Sequence, residues 1–588
     1  MAIEIFKLSV CCIPTFTNRF PFYSSQKGSL FLHRPTSPSQ SIQIHQKFNP
    51  TPLRIRWSCA AAIENLDETE LIIKPAESQR PVREWKKLSS RELGISSLAI
   101  SGHARTVLRQ LKRNGYEVYL VGGCVRDLIL KRIPKDFDIL TTAELREIID
   151  IFPHSEIVGR RFPICHVHFG DEIVEVSSFN SCRRTYSRKL IPFGRPIDCD
   201  EKDNIRWRNC MQRDFTINGL MFDPFARLVY DYMCGLEDIR NAKFHRDNLT
   251  IVVSGHRCKL SFLQACHFMR IVFSVLPIKH VTYGAISYTP HLLHNLNVIL
   301  VLFAARILRA IRIAARLGFR LARETAQSVR DLSISILKLN RERLLREMNY
   351  MLAYGSAEAS LRLLWRFGLL EILLPHQAAY LVSSGFRRTD KGTNMLLTLF
   401  ANLDKLLAPD RPCHSSLWVA LLAFHHALSI RARDPLVVTA FSLAVNNGGD
   451  ISEAVEITRR ISWPCDKRFR ELLEPRNLEK AELMEQVMDL VASVNHALLD
   501  MTQQDAVSKA MAKYPQAPHS NLVFIPLGLY SKVCTIFICV AEGKEGGYSA
   551  KGGGNIDYDR LASGSLEELR HIFARVVFNT IYPLESCS

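Results

Sequence analysis

Between Ile5 and Ile63 the chain has no aspartate or glutamate, yet Lys7, Arg19, Lys27, Arg34, Lys47, Arg54 and Arg56 all fall there. Ser, Thr and Pro recur in the same stretch, as in Pro35-Thr36-Ser37-Pro38-Ser39, and Ser58-Cys59-Ala60-Ala61 offers small residues for processing. An acid-poor, basic, hydroxyl-rich segment reads as an organelle transit peptide over residues 1–63, with the chloroplast expected and the mitochondrion as the alternative. A plain disordered tail shares this composition. Also lacking is any CxxC pair. The sixteen cysteines are scattered without a repeated Cys/His spacing, which speaks against a zinc module or a disulfide framework. No uninterrupted apolar run reaches the ~18 residues of a membrane span, so no membrane partner is expected.

What is present is a globular composition, 47% hydrophobic and 23% charged, with a formal charge of +18 that falls to about +12 without residues 1–63. That balance suits a polyanionic partner such as nucleic acid. Residues 64–100 read as a polar lead-in. Within 101–245, β-like runs at Tyr116–Val121, Phe137–Leu140, Cys165–Phe169 and Ile173–Phe179 alternate with helical stretches. From Arg306 to about Tyr514, Leu, Ala and Ile recur at three- and four-residue spacing, which predicts helices. A Gly-rich loop at Gly543–Gly554 precedes a last helix near Leu566–Phe578. The expected class is α+β, an α/β head followed by an all-α neck (306–375) and body (376–540), with 541–588 as loop and terminal helix.

Val118-Tyr119-Leu120-Val121-Gly122-Gly123-Cys124-Val125-Arg126-Asp127 has the form of a strand, a Gly-Gly turn and a helix start. Such a turn lets backbone approach a phosphate, and the helix start offers free N–H groups. In Lys135-Asp136-Phe137-Asp138-Ile139-Leu140 two carboxylates at i and i+2 share one strand face. They repel unless a cation lies between them, and a metal held there suits nucleotidyl transfer. Glu175, between Val174 and Val176, is either an exposed-face residue or a third ligand. Arg306, Arg309, Arg312, Arg316 and Arg320 are spaced three, three, four and four apart, a basic stripe with no carboxylate in its own segment. RNA or triphosphate contact is the favoured reading, a solvated face the other. Cys165, His166 and His168 carry a weak metal signal, with only the two His on one face. His425-His426 is assigned no chemistry.

The ordered series Gly122-Gly123-Cys124-Val125-Arg126-Asp127, Asp136-Phe137-Asp138, Val158-Gly159-Arg160-Arg161-Phe162, Glu175 and Arg213-Asp214-Phe215-Thr216-Ile217-Asn218-Gly219-Leu220 resembles the head of the class II tRNA nucleotidyltransferase and bacterial poly(A) polymerase family. Arg306–Phe319 resembles the helical neck of that family, and the wording around Lys135–Leu140 and Gly159–Phe162 is nearer the poly(A) branch. The resemblance implies a nucleotidyltransferase-type head and addition of AMP from ATP to an RNA 3′ end, mRNA or tRNA. It implies two Mg²⁺ ions (Mn²⁺ the alternative) on Asp136 and Asp138, with Glu175 as third carboxylate. Gly122, Gly123 and Arg126 would meet the triphosphate, and Arg213, Asp214 and Asn218 would shape the nucleotide pocket with Arg306 and Arg309. Arg312, Arg316 and Arg320 would meet RNA. CCA addition to tRNA, using CTP as well as ATP, is the alternative within this chemistry, and an inactive RNA-binding relative the alternative outside it.

Three departures bear on this reading. The family's Glu-Asp-x-x-Arg pattern before the neck keeps its Arg at Arg306, but Leu302 and Phe303 stand at the acidic positions, where no base amino group can be accepted. Residues 246–305 form an atypical apolar segment: no Asp or Glu occurs from Asn248 to Arg323, and neither Cys258–Val275 nor Pro290–Leu302 shows a clean helical or strand period. It reads as an aberrant insertion, such as translated intron, with a lineage-specific helical insertion touching RNA as the alternative. Asn180 and Gln212 stand where relatives often carry Arg.

Overall fold

The computed structural model describes residues 85–159, 163–170, 172–179, 200–210, 213–244, 250–251, 290–461, 466, 468–512, 523–543, 551 and 555–583, with backbone alone over 242–303 and at 323–324. Residues 1–63, expected to be a transit peptide, Asn180 and Gln212, the run Cys258–Val275 and most of the Gly-rich loop lie outside the described residues. All described residues belong to one compact unit that begins at Pro81.

The head is built on β1 (Lys86–Ser89), β2 (Val118–Val121), β3 (Asp138–Thr141), β4 (Ser155–Val158), β5 (Ile164–Phe169), β6 (Glu172–Ser178), β7 (Leu220–Asp223) and β8 (Leu228–Asp231). They form one sheet in the order β1-β8-β7-β2-β3-β6-β5-β4. Only β3 and β6 pair in parallel; the other neighbours are antiparallel. Period-two alternation divides the strands. Leu120, Ile139, Val174 and Val176 enter one core with residues of α1 (Gly102–Arg113), α2 (Gly123–Ile129) and α3 (Leu145–Ile151). Tyr119, Val121 and Leu140 point the other way, to Trp207 of α4 (Glu201–Cys210). A short α5 (Gly235–Phe244) closes the head.

Strand β1 corrects the polar lead-in expected over 64–100: its four residues add the edge strand beside β8. β4, β7 and β8 were also not anticipated; each has four residues, too few to display a period.

One helix joins head to body. α6 runs from Pro290 to Leu317, so the neck begins sixteen residues before Arg306, within the segment expected to lack order. No glycine or proline interrupts it after Pro290, which stands at the start, where a missing N–H costs nothing. An absent amphipathic period does not exclude a helix that only extends one already nucleated. Further on, α6 serves two cores. Ala310, Ala314 and Leu317 enter the head core, and Ala304, Ile307, Leu308 and Ile311 enter the body core. The residues left over on the third side include Arg309, Arg312 and Arg316.

The remainder is helical: α7 (Arg323–Asp331), α8 (Arg341–Leu352), α9 (Ala357–Arg366), α10 (Leu370–Leu373), α11 (Pro375–Ser383), α12 (Met395–Asp404), α13 (Ser415–Ile430), α14 (Pro435–Asn446), α15 (Ile451–Thr458), α16 (Lys480–Thr502), α17 (Gln504–Met511), α18 (Leu527–Ile536), α19 (Tyr558–Ser563) and α20 (Leu566–Ile581). A single apolar core runs from Ala304 to Tyr582. The expected boundaries at 375 and 541 therefore do not mark separate cores; Phe573 of α20 packs in a cluster with Phe424, Phe441 and Phe537.

Candidate active site

The site starts at the turn between β2 and α2. Gly122 takes φ +80°, the left-handed region that favours glycine, and a Cβ there would lie 3.1 Å from Asp138 Oδ2 and 3.5 Å from Arg213 Nη1. Glycine thus lets backbone, acid and guanidinium crowd together. Cross-strand register does the rest: Val121 faces Asp138 across β2 and β3, and Asp138 faces Glu175 across β3 and β6. Ile139 is fully buried beneath, and Phe137 packs against the same head core. The alternation read from Lys135–Leu140 places both acids away from that core.

Burial pushes the Asp138 carboxyl up to about 6; Arg213 and Arg309 pull it back, and the carboxylates of Glu175 and Asp136 add to the rise. An acid strained in this way is relieved by a cation, and carboxylate oxygens are the donors a hard divalent ion takes. The Asp136–Asp138 pair fits such an ion. Among the described residues no three His, Cys, Asp or Glu side chains gather closely enough to hold a metal. Glu175 stands in register with Asp138 on the adjacent strand, and its charge acts on that carboxyl. Half exposed, it lies 3.9 Å from His166 Nε2, while His168 faces Glu156 at 3.5 Å.

The cationic wall is held from behind. Arg126 is buried, donates from Nε to Asp127 at 2.9 Å and from Nη1 to Asn218 Oδ1 at 2.7 Å. Asn218 donates to Asp214 at 3.1 Å, and Asp214 accepts from Arg309 Nη1 at 2.9 Å. Burial pushes Asp214 up, but the charge and hydrogen bond of Arg309, with Asn218, hold it below the usual carboxylate range. This relay from Asp127 to Arg309 fixes two guanidiniums in place. Arg312 faces Glu347 of α8 at 3.2 Å without hydrogen-bond alignment, leaving Arg312 Nε and Glu347 Oε2 buried and unbonded. Burial lowers the pKa of Arg312 and of Arg316, with Glu347 opposing it at Arg312.

These residues enclose a cleft of about 540 Å³ between head and neck, lined by Gly123, Arg126, Asp136, Asp138, Arg309, Arg312 and Arg316. Seven of the expected site residues thus meet in one place. Gly122, Arg213, Asp214 and Asn218 support it from behind. Arg306 stays outside the walls, although its charge reaches Asp214. Arg320 departs from the stripe: α6 ends at Leu317, Gly318 takes φ +72°, and Arg320 pairs with Thr250 in the two-residue strands β9 (Thr250–Ile251) and β10 (Arg320–Leu321). The stripe also has its carboxylates, supplied by Asp214 and Glu347 from other elements. Sequence reasoning missed Lys135, Arg343, Arg346, Glu347, Tyr350 and Tyr354 of the same walls. The charge-dense Arg341-Glu342-Arg343 start of α8 was the one signal for them.

Comparison with known proteins follows the same division. Residues 118–245 match the family described as "Poly A polymerase head domain", and residues 318–381 the family described as "Probable RNA and SrmB-binding site of polymerase A". The chain is similar to poly(A) polymerase I of Haemophilus influenzae, 27% identical over 343 residues that cover 57% of this chain and 64% of that one. It is 29% identical over 301 residues to poly(A) polymerase I of Salmonella typhi, covering 50% and 54%. It is 38% identical over 138 residues to a CCA-adding enzyme of Staphylococcus aureus, covering 24% and 33%. The chain thus spans between a third and two thirds of these relatives' lengths. A solved CCA-adding enzyme of Bacillus stearothermophilus in complex with CTP is 21% identical with a TM-score of 0.35, covering 74% of this chain and 81% of that one.

Proposed function

We propose that this chain, which carries the head and RNA-binding segments of the poly(A) polymerase and CCA-adding family of nucleotidyltransferases, adds nucleotides to RNA 3′ ends without a template, with AMP from ATP as the preferred unit. The observation that carries the reading is the cleft itself: Asp136 and Asp138 on one wall, Arg309, Arg312 and Arg316 on the other. The preference for AMP is supported by the longer span of similarity to poly(A) polymerase I.

In the reaction the RNA 3′-oxygen attacks the α-phosphorus, a new O–P bond forms, and the bond to the β-phosphate oxygen breaks to release pyrophosphate. Arg126 and Arg309, fixed by Asn218 and Asp214, bind the triphosphate and hold its α-phosphorus toward the acidic wall. Backbone at Gly122 and Gly123 lets the phosphates approach α2. Asp136 and Asp138 would hold Mg²⁺, with Mn²⁺ as the alternative hard cation, which supplies charge neutralisation on the phosphates and a lowered pKa for the attacking hydroxyl. Limited addition of C, C and A to tRNA is the second reading, favoured by the 38% identity over 138 residues.

The test supplies full-length protein with Mg²⁺, each ribonucleoside triphosphate in turn, and either a generic RNA or a tRNA lacking its 3′ end. Asp136→Ala/Asp138→Ala is the control. Long ATP-dependent tails that vanish in the control support the leading reading, and a limited C, C, A pattern replaces it with the second. RNA binding with no incorporation overturns both and leaves an RNA-binding protein. The acid-poor, basic start supports an organelle setting, the chloroplast first, checked by where residues 1–63 carry a fluorescent fusion.

A further inference from the structure

The cleft has a second built feature that transfer chemistry leaves unused. Tyr350 on α8 and Tyr354 just beyond its end lie with ring centroids 5.3 Å apart, tilted by 50°. Lys135 Nζ stands 5.6 Å from the Tyr350 centroid and 5.3 Å from that of Tyr354, and the Arg312 guanidinium stands 4.8 Å from Tyr350. Both rings are half-buried and both line the cleft beside Asp136. Burial raises the Tyr354 phenol first, and the charge of Asp136 is among the further causes, which places that ring within electrostatic reach of the acidic wall. Arg343 and Arg346, earlier on α8, line the same side.

Cations over tyrosine rings also glue elements together. Glue alone would close the rings off, however, whereas here part of each stays open to the space beside the acids. An open aromatic pair flanked by arginines is what a nucleobase and its phosphate require, because every base has a π-face. The triphosphate charge is matched elsewhere, by Arg126 and Arg309 on the α2 and α6 side.

We propose that Tyr350 and Tyr354 form the stacking platform for the base of the RNA's 3′-terminal nucleotide, with Arg343 and Arg346 on the neighbouring phosphates. This rests on the reading that an RNA 3′ end is the acceptor. The platform seats the terminal ribose beside Asp136 and accepts any base.

Binding is measured by fluorescence anisotropy on full-length protein, without nucleotide or metal, using a labelled single-stranded RNA and the same RNA lacking only its 3′-terminal base. Wild-type protein binds the intact RNA roughly 5- to 100-fold tighter, the range that stacking of one base gives. Tyr350→Leu/Tyr354→Leu binds both RNAs as weakly as wild type binds the abasic one, and Tyr350→Phe/Tyr354→Phe keeps the preference. Equal wild-type affinity for the two RNAs overturns the platform, and needs no variant that has to fold. A double variant that weakens both RNAs equally overturns it as well, reducing the tyrosines to a structural role. A protein that discriminates the two RNAs but incorporates no nucleotide fails the functional reading alone; one that incorporates but ignores the missing base fails the platform alone.

Discussion

Head and body each bury one carboxylate whose pKa is pushed up to about 6, Asp138 and Asp404. Burial is the first cause in both. Asp404 is then compensated by backbone: it accepts from the N–H groups of Ala357 at 2.8 Å and Glu358 at 2.9 Å, capping α9. Asp138 has no such cap. Two further acids push it up and two arginines pull it back, all across an open cleft. The body uses its buried acid to cap the start of a helix, and the head leaves its acid short of a partner. A group strained in a cleft marks a site, whereas the same strain under a capped helix marks only architecture.

The largest effect expected from breaking that contrast is at Asp138. Asp138→Asn lowers nucleotide incorporation on the order of 10²–10³-fold or more, and it also removes a desolvated charge, so Tm at pH 7 rises by roughly 1–3 °C. Incorporation assays with thermal melts decide it: loss of activity together with loss of stability would make Asp138 another structural acid. Arg309→Lys comes next. It keeps the charge but not the fork that meets Asp214, so the KM for the nucleotide rises about tenfold while RNA affinity stays near wild type. A matching rise in the KM for RNA would mean that the relay through Asn218 and Asp214 serves the acceptor instead. Asp404→Ala is smaller still on function: stability falls by about 1–2 kcal/mol through the lost cap, with kcat unchanged within about twofold.

How much of this could be read from sequence follows the same division. In the head, β6 sets exposed Glu175 between buried Val174 and Val176, and Asp136-Phe137-Asp138 states its geometry in three letters. The three-three-four spacing placed Arg309, Arg312 and Arg316 on one side of α6. Gly318 directly after Leu317 was also a legible stop signal, and it takes Arg320 off that side. What distance along the chain concealed were the partners: Asp214 lies 95 residues before Arg309, and Glu347 lies on a helix whose own pattern looks like an ordinary amphipathic surface. Tyr350 and Tyr354 carry no signal of their own in the sequence; only the fold sets Lys135 over both rings. β1, β4, β7 and β8 are sheet additions of four residues each, stabilised by neighbours rather than by their own periodicity.

The smallest expected effect tests two buried titratable groups of the other sign in the body, His425 and His426. Burial pushes both down to about 3; His426 and Arg470 further oppose the charging of His425, and His376 and His496 that of His426. Neither nitrogen of His425 has a hydrogen-bond partner. The two kinds of group pull stability in opposite directions with pH. A folded-state pKa near 6 against an ordinary 3.8 means that the native state keeps the proton of Asp138 or Asp404 through that window. Their contribution therefore falls as pH rises from about 4 to about 6. For the histidines the unfolded chain takes protons below about 6.5 that the fold refuses down to about 3. Their contribution is full above 6.5 and is lost as pH falls. His425→Leu should therefore sit within about 1 kcal/mol of wild type at pH 7.5, and should gain on it steadily as the pH is lowered to 5. Chemical denaturation at the two pH values reads the difference. An equal offset at both would show that His425 does not titrate across folding.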